Sequence, residues 1–240
     1  MTSADWQALA QDLQETLHLD TPPVAITFSE QRPDGVAAFD HPTASPAPDG
    51  RTGRVPAGCV FWIHAAKRTF STVPEDHGNC SVGRLTHGMA TLGDIAGNSD
   101  VAELLGSDWV DMDAVLGIPT VSTPPGAVTY GPLNEATTDP DVVLIRADAH
   151  QMMVLGDALP GLRLEGKPQC HIIAVAKEQQ KVAASMGCAL SRARTGMGSE
   201  EMTCAIPAQE LGAVLDSLKR ASAIDNGVAG YAAEDARRFA

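Results

Sequence analysis

Five cysteines stand at positions 59, 80, 170, 188 and 204. Four thiolates can hold zinc or an iron–sulfur cluster, because a soft anionic sulfur suits both. The first four are 21, 90 and 18 residues apart, with no C-x-x-C pair. Ligation by Cys59, Cys80, Cys170 and Cys188 therefore requires a fold that gathers distant segments. Spacing alone fits equally well with cysteines that are small buried hydrophobes. Local setting favours chemistry for two of them. Cys80 lies in Gly78-Asn79-Cys80-Ser81-Val82-Gly83 and Cys188 follows Met186-Gly187. Backbone N–H groups in such turns can point at sulfur and tune a cluster. Cys204 sits inside the apolar run Met202–Ile206 and reads as structural.

The titratable neighbours follow. His77 precedes Cys80 by three residues, His171 directly follows Cys170, and His64 is five residues after Cys59. His77 and His171 could move protons, hydrogen-bond a sulfur or replace a cysteine as ligand. Each could equally be an ordinary surface or core histidine. Arg192 lies four residues after Cys188, with Arg194 beyond it. A guanidinium there could bind an anionic substrate or offset cluster charge, with Glu201 as its ion-pair partner. Trp62, near Cys59, reads as a core residue that keeps water out.

Composition narrows the partners. Thirty acids against 17 bases give a net charge of −13 over 240 residues. That balance speaks against nucleic acid and against an anionic membrane surface. No apolar run approaches a bilayer span, and the first residues lack a secretory pattern. A cytoplasmic location is expected, where disulfides are rare. The chain has no G-x-x-x-x-G-K-[ST] phosphate loop, no dinucleotide fingerprint after a strand, no G-x-S-x-G elbow and no H-E-x-x-H pair.

The elements that would position the cysteines can be placed. Helical periodicity covers residues 5–18, capped by Ser3 and ended by Pro22-Pro23. Val24–Phe28 reads as a strand. Residues 31–57 hold five prolines and read as a long surface loop that buries little. The run from Cys59 is a buried helix or strand, and residues 84–106 are partly helical. Val128–Tyr130, Asp141–Arg146 and Glu201–Ile206 read as strands. Ala149–Leu155 reads as a helix, Met186–Arg192 as a turn, and Pro207 as the start of a helix through about Arg220.

An internal echo joins these. Cys59 and Cys170 each lead an apolar run, and Cys80 and Cys188 each sit in a glycine-containing turn downstream. A β-branched strand precedes each pair. The expected fold is α/β (or α+β), as two similar halves, 1–124 and 125–240, packed face to face around a shared cysteine site in one compact unit.

The same residues carry a resemblance. Pro22–Ile26, Cys59 with Ala65, Cys80–Gly83, Val128–Leu133, Asp141–Leu144, Cys170, Cys188–Arg192 and Glu201–Met202 before Ile206-Pro207 resemble the DUF169 family, over roughly residues 10–220. The four cysteines recur in that pattern and Cys204 does not. Two positions depart from it. Leu190 stands for a glycine, and Lys67-Arg68-Thr69 replaces a glycine-rich stretch. The resemblance implies a four-cysteine site and most plausibly an iron–sulfur cluster, 4Fe–4S in type. It implies no activity.

The expectation is a cluster protein acting on a small anionic substrate by redox, lyase or sulfur-transfer chemistry, as an oxidoreductase or lyase, or serving a redox partner. Cys59, Cys80, Cys170 and Cys188 would be ligands, His77 and His171 proton carriers, and Arg192 the substrate's anchor. The alternatives are a haem or mononuclear-metal enzyme and a non-enzymatic zinc or small-ligand module.

Overall fold

Val142 to Ile145 is apolar at every position, which is the pattern of a strand covered on both faces. In the computed structural model, which describes residues 2–239, this segment is strand β4 (Val142–Ala147), at the centre of a seven-stranded sheet. Before it come helix α1 (Ser3–Leu17), β1 (Val24–Ser29), α2 (Cys59–Ala65), β2 (Phe70–Thr72), α3 (Ser81–Thr86), α4 (Leu92–Ile95), α5 (Ser99–Gly106), α6 (Met112–Leu116) and β3 (Ala127–Pro132). After it come α7 (Ala149–Ala158), β5 (Arg163–Glu165), α8 (His171–Gln179), β6 (Ala183–Ser185), α9 (Ala189–Thr195), β7 (Met202–Pro207) and α10 (Leu211–Ala236).

The sheet order is β2-β3-β1-β4-β7-β6-β5. Every neighbouring pair is antiparallel except β5 and β6. Alternate side chains feed two cores, as the strand period of two dictates. Val143, Ile145, Cys204 and Ile206 pack under Leu13, Leu155 and Leu215 from α1, α7 and α10. Val24, Tyr130, Val142 and Leu144 pack under Phe61 and Trp62 of α2 and Ile172 and Ile173 of α8. The molecule is thus mixed α/β with helices on both faces of one sheet.

Six of the seven strands mirror one another about the β1–β4 pair, with β5 added at one edge. With α4, α5 and α6 set aside, β1-α2-β2-α3-β3 lays its strands as β2-β3-β1. With α7 and β5 set aside, β4-α8-β6-α9-β7 lays its strands as β4-β7-β6. β1 and β4 meet antiparallel, with Ala25 opposite Val143. The segments read from the sequence as face-to-face halves therefore lie side by side in one sheet. α2 and α8 share a face, and contacts cross the midline from α2 to α9 and from α3 to α8.

Several local expectations shift. Thr2, rather than Ser3, caps α1 through a reciprocal Thr2–Asp5 pair. Residues 31–57 bury more than their composition suggests. Phe39 and Val55 enter the second core, and Phe39 meets Phe61 edge-on at 4.9 Å. Pro207 ends β7 and also caps the 3-10 turn Ala208–Glu210, which runs straight into α10, so the helix opens there as expected and continues past Arg220 to Ala236. Its last turns leave Ile224, Val228 and Tyr231 exposed.

Candidate metal centre

Each of the four cysteines stands at the head of a helix. Cys59 is the first residue of α2, and Cys80, Cys170 and Cys188 are the N-caps of α3, α8 and α9. Two of the thiols do the work that a Ser or Asp usually does at an N-cap. The Gly83 N–H donates to Cys80 Sγ at 3.4 Å, and the Ser191 N–H donates to Cys188 Sγ at 3.4 Å. This is the backbone-to-sulfur contact that the glycine-containing turns suggested. Cys170 and Cys188 are buried, and Cys59 and Cys80 are partly exposed.

Crossing of the midline contacts explains how these residues meet. α2 touches α9 and α3 touches α8, so the helices that carry Cys59 and Cys188 are in contact, as are those that carry Cys80 and Cys170. Electrostatics report the same gathering. The Cys59 thiol is held far above its usual range by burial, then by the Cys80 thiolate, with Cys188 also contributing. The Cys170 thiol is raised well above normal by burial, then by Cys59 and Cys80, with a smaller push from Cys188. Burial also raises Cys80, against the pull of the Gly83 and Gly58 N–H groups and of the Arg194 charge. Cys204 lies apart in the other core. Burial alone pushes its thiol up to about 12. Among the described residues, no group of three or more His, Cys, Asp or Glu side chains is placed to hold a metal ion. The four thiols are neighbours rather than a finished coordination shell.

Gln169 ties the two sides together. Its Nε2 donates to Cys59 Sγ at 3.1 Å. Its Oε1 faces the Cys188 turn, 3.3 Å from where a Cβ on Gly187 would stand. Gly187 has φ +88°, so a side chain there would be both strained and crowded. The adjacency of Gln169 to Cys170 was the only sequence signal for this role.

His77 is buried, with its ring 4.6 Å from Phe61 and 6.4 Å from Tyr130. Its tautomer follows from its partner. The Thr72 hydroxyl donates to the Val128 carbonyl at 3.2 Å, so it accepts from His77 Nε2 at 2.9 Å. His77 Nδ1 is left as a bare acceptor, 3.5 Å from where a Cβ on Gly58, beside Cys59, would stand. His87, which the sequence did not single out, is the reverse. Its Nδ1 donates to the Gly83 carbonyl at 3.0 Å, and Nε2 carries the lone pair. Burial holds His77 well below its usual range and His87 down to about 4. Tyr130 is raised by burial first, then by Cys59 and Cys170. His77 Nδ1, His87 Nε2, Tyr130 Oη, Gln169 Oε1 and Trp62 Nε1 are buried and find no hydrogen-bond partner in the protein. Such atoms call for an explanation, since each costs about 1–3 kcal/mol.

The other candidates sit elsewhere. His171 faces away from the thiols, with Nε2 3.6 Å from the Glu165 carboxylate in a surface cleft. His64 is at the far end of α2, edge-on to Phe39 at 5.3 Å. Arg192 has its guanidinium engaged by backbone carbonyls. It donates to Gly198, to Met186 at 2.6 Å and to Glu201 at 2.9 Å. The Glu201 carboxylate pairs with Arg146 instead, at 2.5 and 2.9 Å. Arg194 is thus the arginine whose charge reaches the thiols. Trp62 is buried in the second core, as its place beside Cys59 suggested.

The donor types are those that a thiophilic metal group uses, although no three of them are placed to hold a metal ion among the described residues. The set offers four sulfurs, two of them already accepting backbone N–H bonds, within a largely apolar shell. No curated protein and no solved structure matches the chain. The family model DUF169, described as uncharacterised ArCR, matches residues 12–217, so the chain belongs to that family.

Proposed function

We propose that this member of the DUF169 family binds an iron–sulfur cluster through Cys59, Cys80, Cys170 and Cys188, and that it acts on a small anionic substrate there. The observation that carries the reading is geometric: the helices that carry Cys59 and Cys188 touch, as do those that carry Cys80 and Cys170, and Gln169 spans from Cys59 Sγ to the Cys188 turn, whereas Cys204 lies in the other core. Four thiols so close cannot all ionise without a cation to offset them, and a metal centre supplies one. Bound there, a cluster would supply electron transfer, or Lewis acidity where one iron lacks a cysteine.

The chain's own residues have definable tasks around that centre. The Gly83 and Ser191 N–H groups and the Gln169 amide direct hydrogen bonds at sulfur, which stabilises negative charge on it. The Arg194 charge opposes the summed charge of the thiolates. Trp62, Phe61 and Ile172 exclude water from one side. His77, fixed with a proton on Nε2, offers Nδ1 as a base beside Cys59, and Tyr130 offers an O–H with no other acceptor. Arg192 holds the loop after α9 in place, and so fixes the turn that carries Cys188.

Paired variants test the ligand set. After anaerobic purification, Cys188→Ala should lose iron and sulfide or retain a smaller cluster. Cys204→Ala should retain the full complement. Unchanged iron and sulfide in Cys188→Ala, or their loss in Cys204→Ala, would contradict the assignment.

A further inference from the structure

A cleft stands apart from the thiols. It measures about 840 Å³ and lies between α6, β5 and α8. That volume suits a small molecule with room to spare. Its floor is the face of α8 that carries His171, Val175 and Gln179, spaced four residues apart and so aligned along one side of the helix. No cysteine lines it, although His171 is the residue next to Cys170.

The charges in the cleft are unequal in their commitments. Asp111 is occupied as the N-cap of α6, accepting from the Ala114 N–H at 2.7 Å. Glu165 is shared between His171 at 3.6 Å and Arg163 at 3.7 Å. Asp108 stands in the left-handed region, φ 54°, at the turn before Trp109. The two cations are the freer groups. The Arg163 side chain is 83% exposed and its one ion pair is long. Lys167 donates to the Trp109 carbonyl at 2.9 Å and lies 4.7 Å above the Trp109 ring, which leaves two of its three protons free. His171 Nε2 is buried and makes no hydrogen bond. Between these polar groups, Ala114, Ile118 and Val175 supply an apolar wall.

We propose that this cleft binds a small aliphatic monocarboxylate, with its carboxylate between Arg163 and Lys167 and its hydrocarbon body against Ala114, Ile118 and Val175. The site goes beyond the thiol centre, and places an anion-binding function on residues outside Arg192, whose donors are taken by carbonyls. The chain carries −13 and the cleft's three carboxylates, Asp108, Asp111 and Glu165, outnumber its two cations, so the carboxylate is held by direct contact with the spare protons of Arg163 and Lys167 rather than by the local field.

Trp109 offers the readout, because Trp6 and Trp62 are buried in the cores. Butyrate, butylammonium and 1-butanol share one apolar body and differ only in charge. Each is titrated at constant ionic strength against the full chain, following the Trp109 indole N–H resonance, assigned with Trp109→Phe. The expected result is saturable binding of butyrate at least ten-fold tighter than that of the other two. An Arg163→Ala/Lys167→Ala double variant, changed at two exposed positions and checked for an unaltered melting curve, should remove that preference. Butyrate binding no tighter than 1-butanol would overturn the proposal. So would tighter binding of butylammonium, or a butyrate preference that survives in the double variant. Iron and sulfide measured on the same samples report on the thiol centre separately, so either claim can fail alone.

Discussion

At the scale of single residues, position along a helix matters more than residue type. Arg192 and Arg194 are two residues apart on α9, yet one clamps three backbone carbonyls and the other exerts its charge on Cys80. Arg192→Ala should therefore act through stability. Loss of hydrogen bonds to two part-buried carbonyls and one exposed carbonyl is expected to cost about 1–3 kcal/mol, read as a lower midpoint in urea. Arg192→Lys should recover little of it, since an ammonium lacks the planar fork. A variant of full stability with only a weakened substrate interaction would show that the guanidinium serves a ligand instead. His87 gives a pH prediction. Its folded-state value of about 4 lies below the ordinary 6.5. The unfolded chain then binds more protons between those values, so stability rises with pH across that window. The metal-free protein should be fully stabilised above about 6.5 and lose stability as pH falls toward 4. His87→Gln should flatten that slope, and an unchanged slope would remove His87 as its source. Cys80 and Cys188 stood out because cysteine in a glycine-containing turn is an unusual pairing, whereas Cys59 and Cys170 stood out only as the leads of apolar runs and through the family resemblance. Gln169, His87 and Tyr130 were not, because an amide, an imidazole or a phenol in an apolar strand or helix looks the same whether or not a thiol stands beside it.

At the scale of elements, short helices aim the thiols and one loop braces them. Arg51, in the segment 31–57, pairs with Asp49 at 2.8 Å and Asp100 at 3.2 Å, and donates to Ser81 and Ser99. Ser81 opens α3 directly after Cys80, and its hydroxyl donates to Asp100 at 2.7 Å. The loop, α3 and α5 are thus fastened at one point. Arg51→Ala leaves Asp100 without its cation in a nearly enclosed place. It should destabilise the chain by roughly 1–3 kcal/mol and speed proteolysis within 31–57. Protease cutting at the wild-type rate would show that the brace is dispensable. The proline-rich composition of this segment was read correctly as a loop, but not as a packed one. Phe39 ends the short run Val36-Ala37-Ala38-Phe39 and Val55 stands between Arg54 and Pro56, and neither stretch has a period to mark the face it buries. Pro207 was legible as the start of a helix, and it serves two elements at once: it pairs with Val142 at the end of β7 and caps the turn Ala208–Glu210 that leads into α10.

At the scale of the whole molecule, the sheet is what brings the cysteines together. The echo between Cys59 with Cys80 and Cys170 with Cys188 was visible in the sequence. Its consequence was not, because a repeat does not state how its copies are arranged. Antiparallel pairing of β1 with β4 puts α2 and α8 on one face and lets α2 meet α9 across the midline. Each half then contributes two of the four thiols. A metal group bound by all four would cross-link residues 59 to 188, and its binding free energy would add to folding. Chelation should accordingly lower the melting temperature, by several degrees for each lost kcal/mol divided over a chain of this size (about 2–4 °C each). A chelated protein that melts with the untreated one would separate the metal from the fold. No helix among the described residues is long and apolar enough to cross a membrane. The central claim is that four cysteines from two halves hold one iron–sulfur cluster. The most direct measurement is the visible spectrum of anaerobically purified protein together with its iron, sulfide and zinc content. The account predicts a brown protein with matched iron and sulfide, bleached by dithionite. A colourless protein from iron-replete anaerobic cells, holding zinc or no metal, or one with a sharp Soret band, would contradict it.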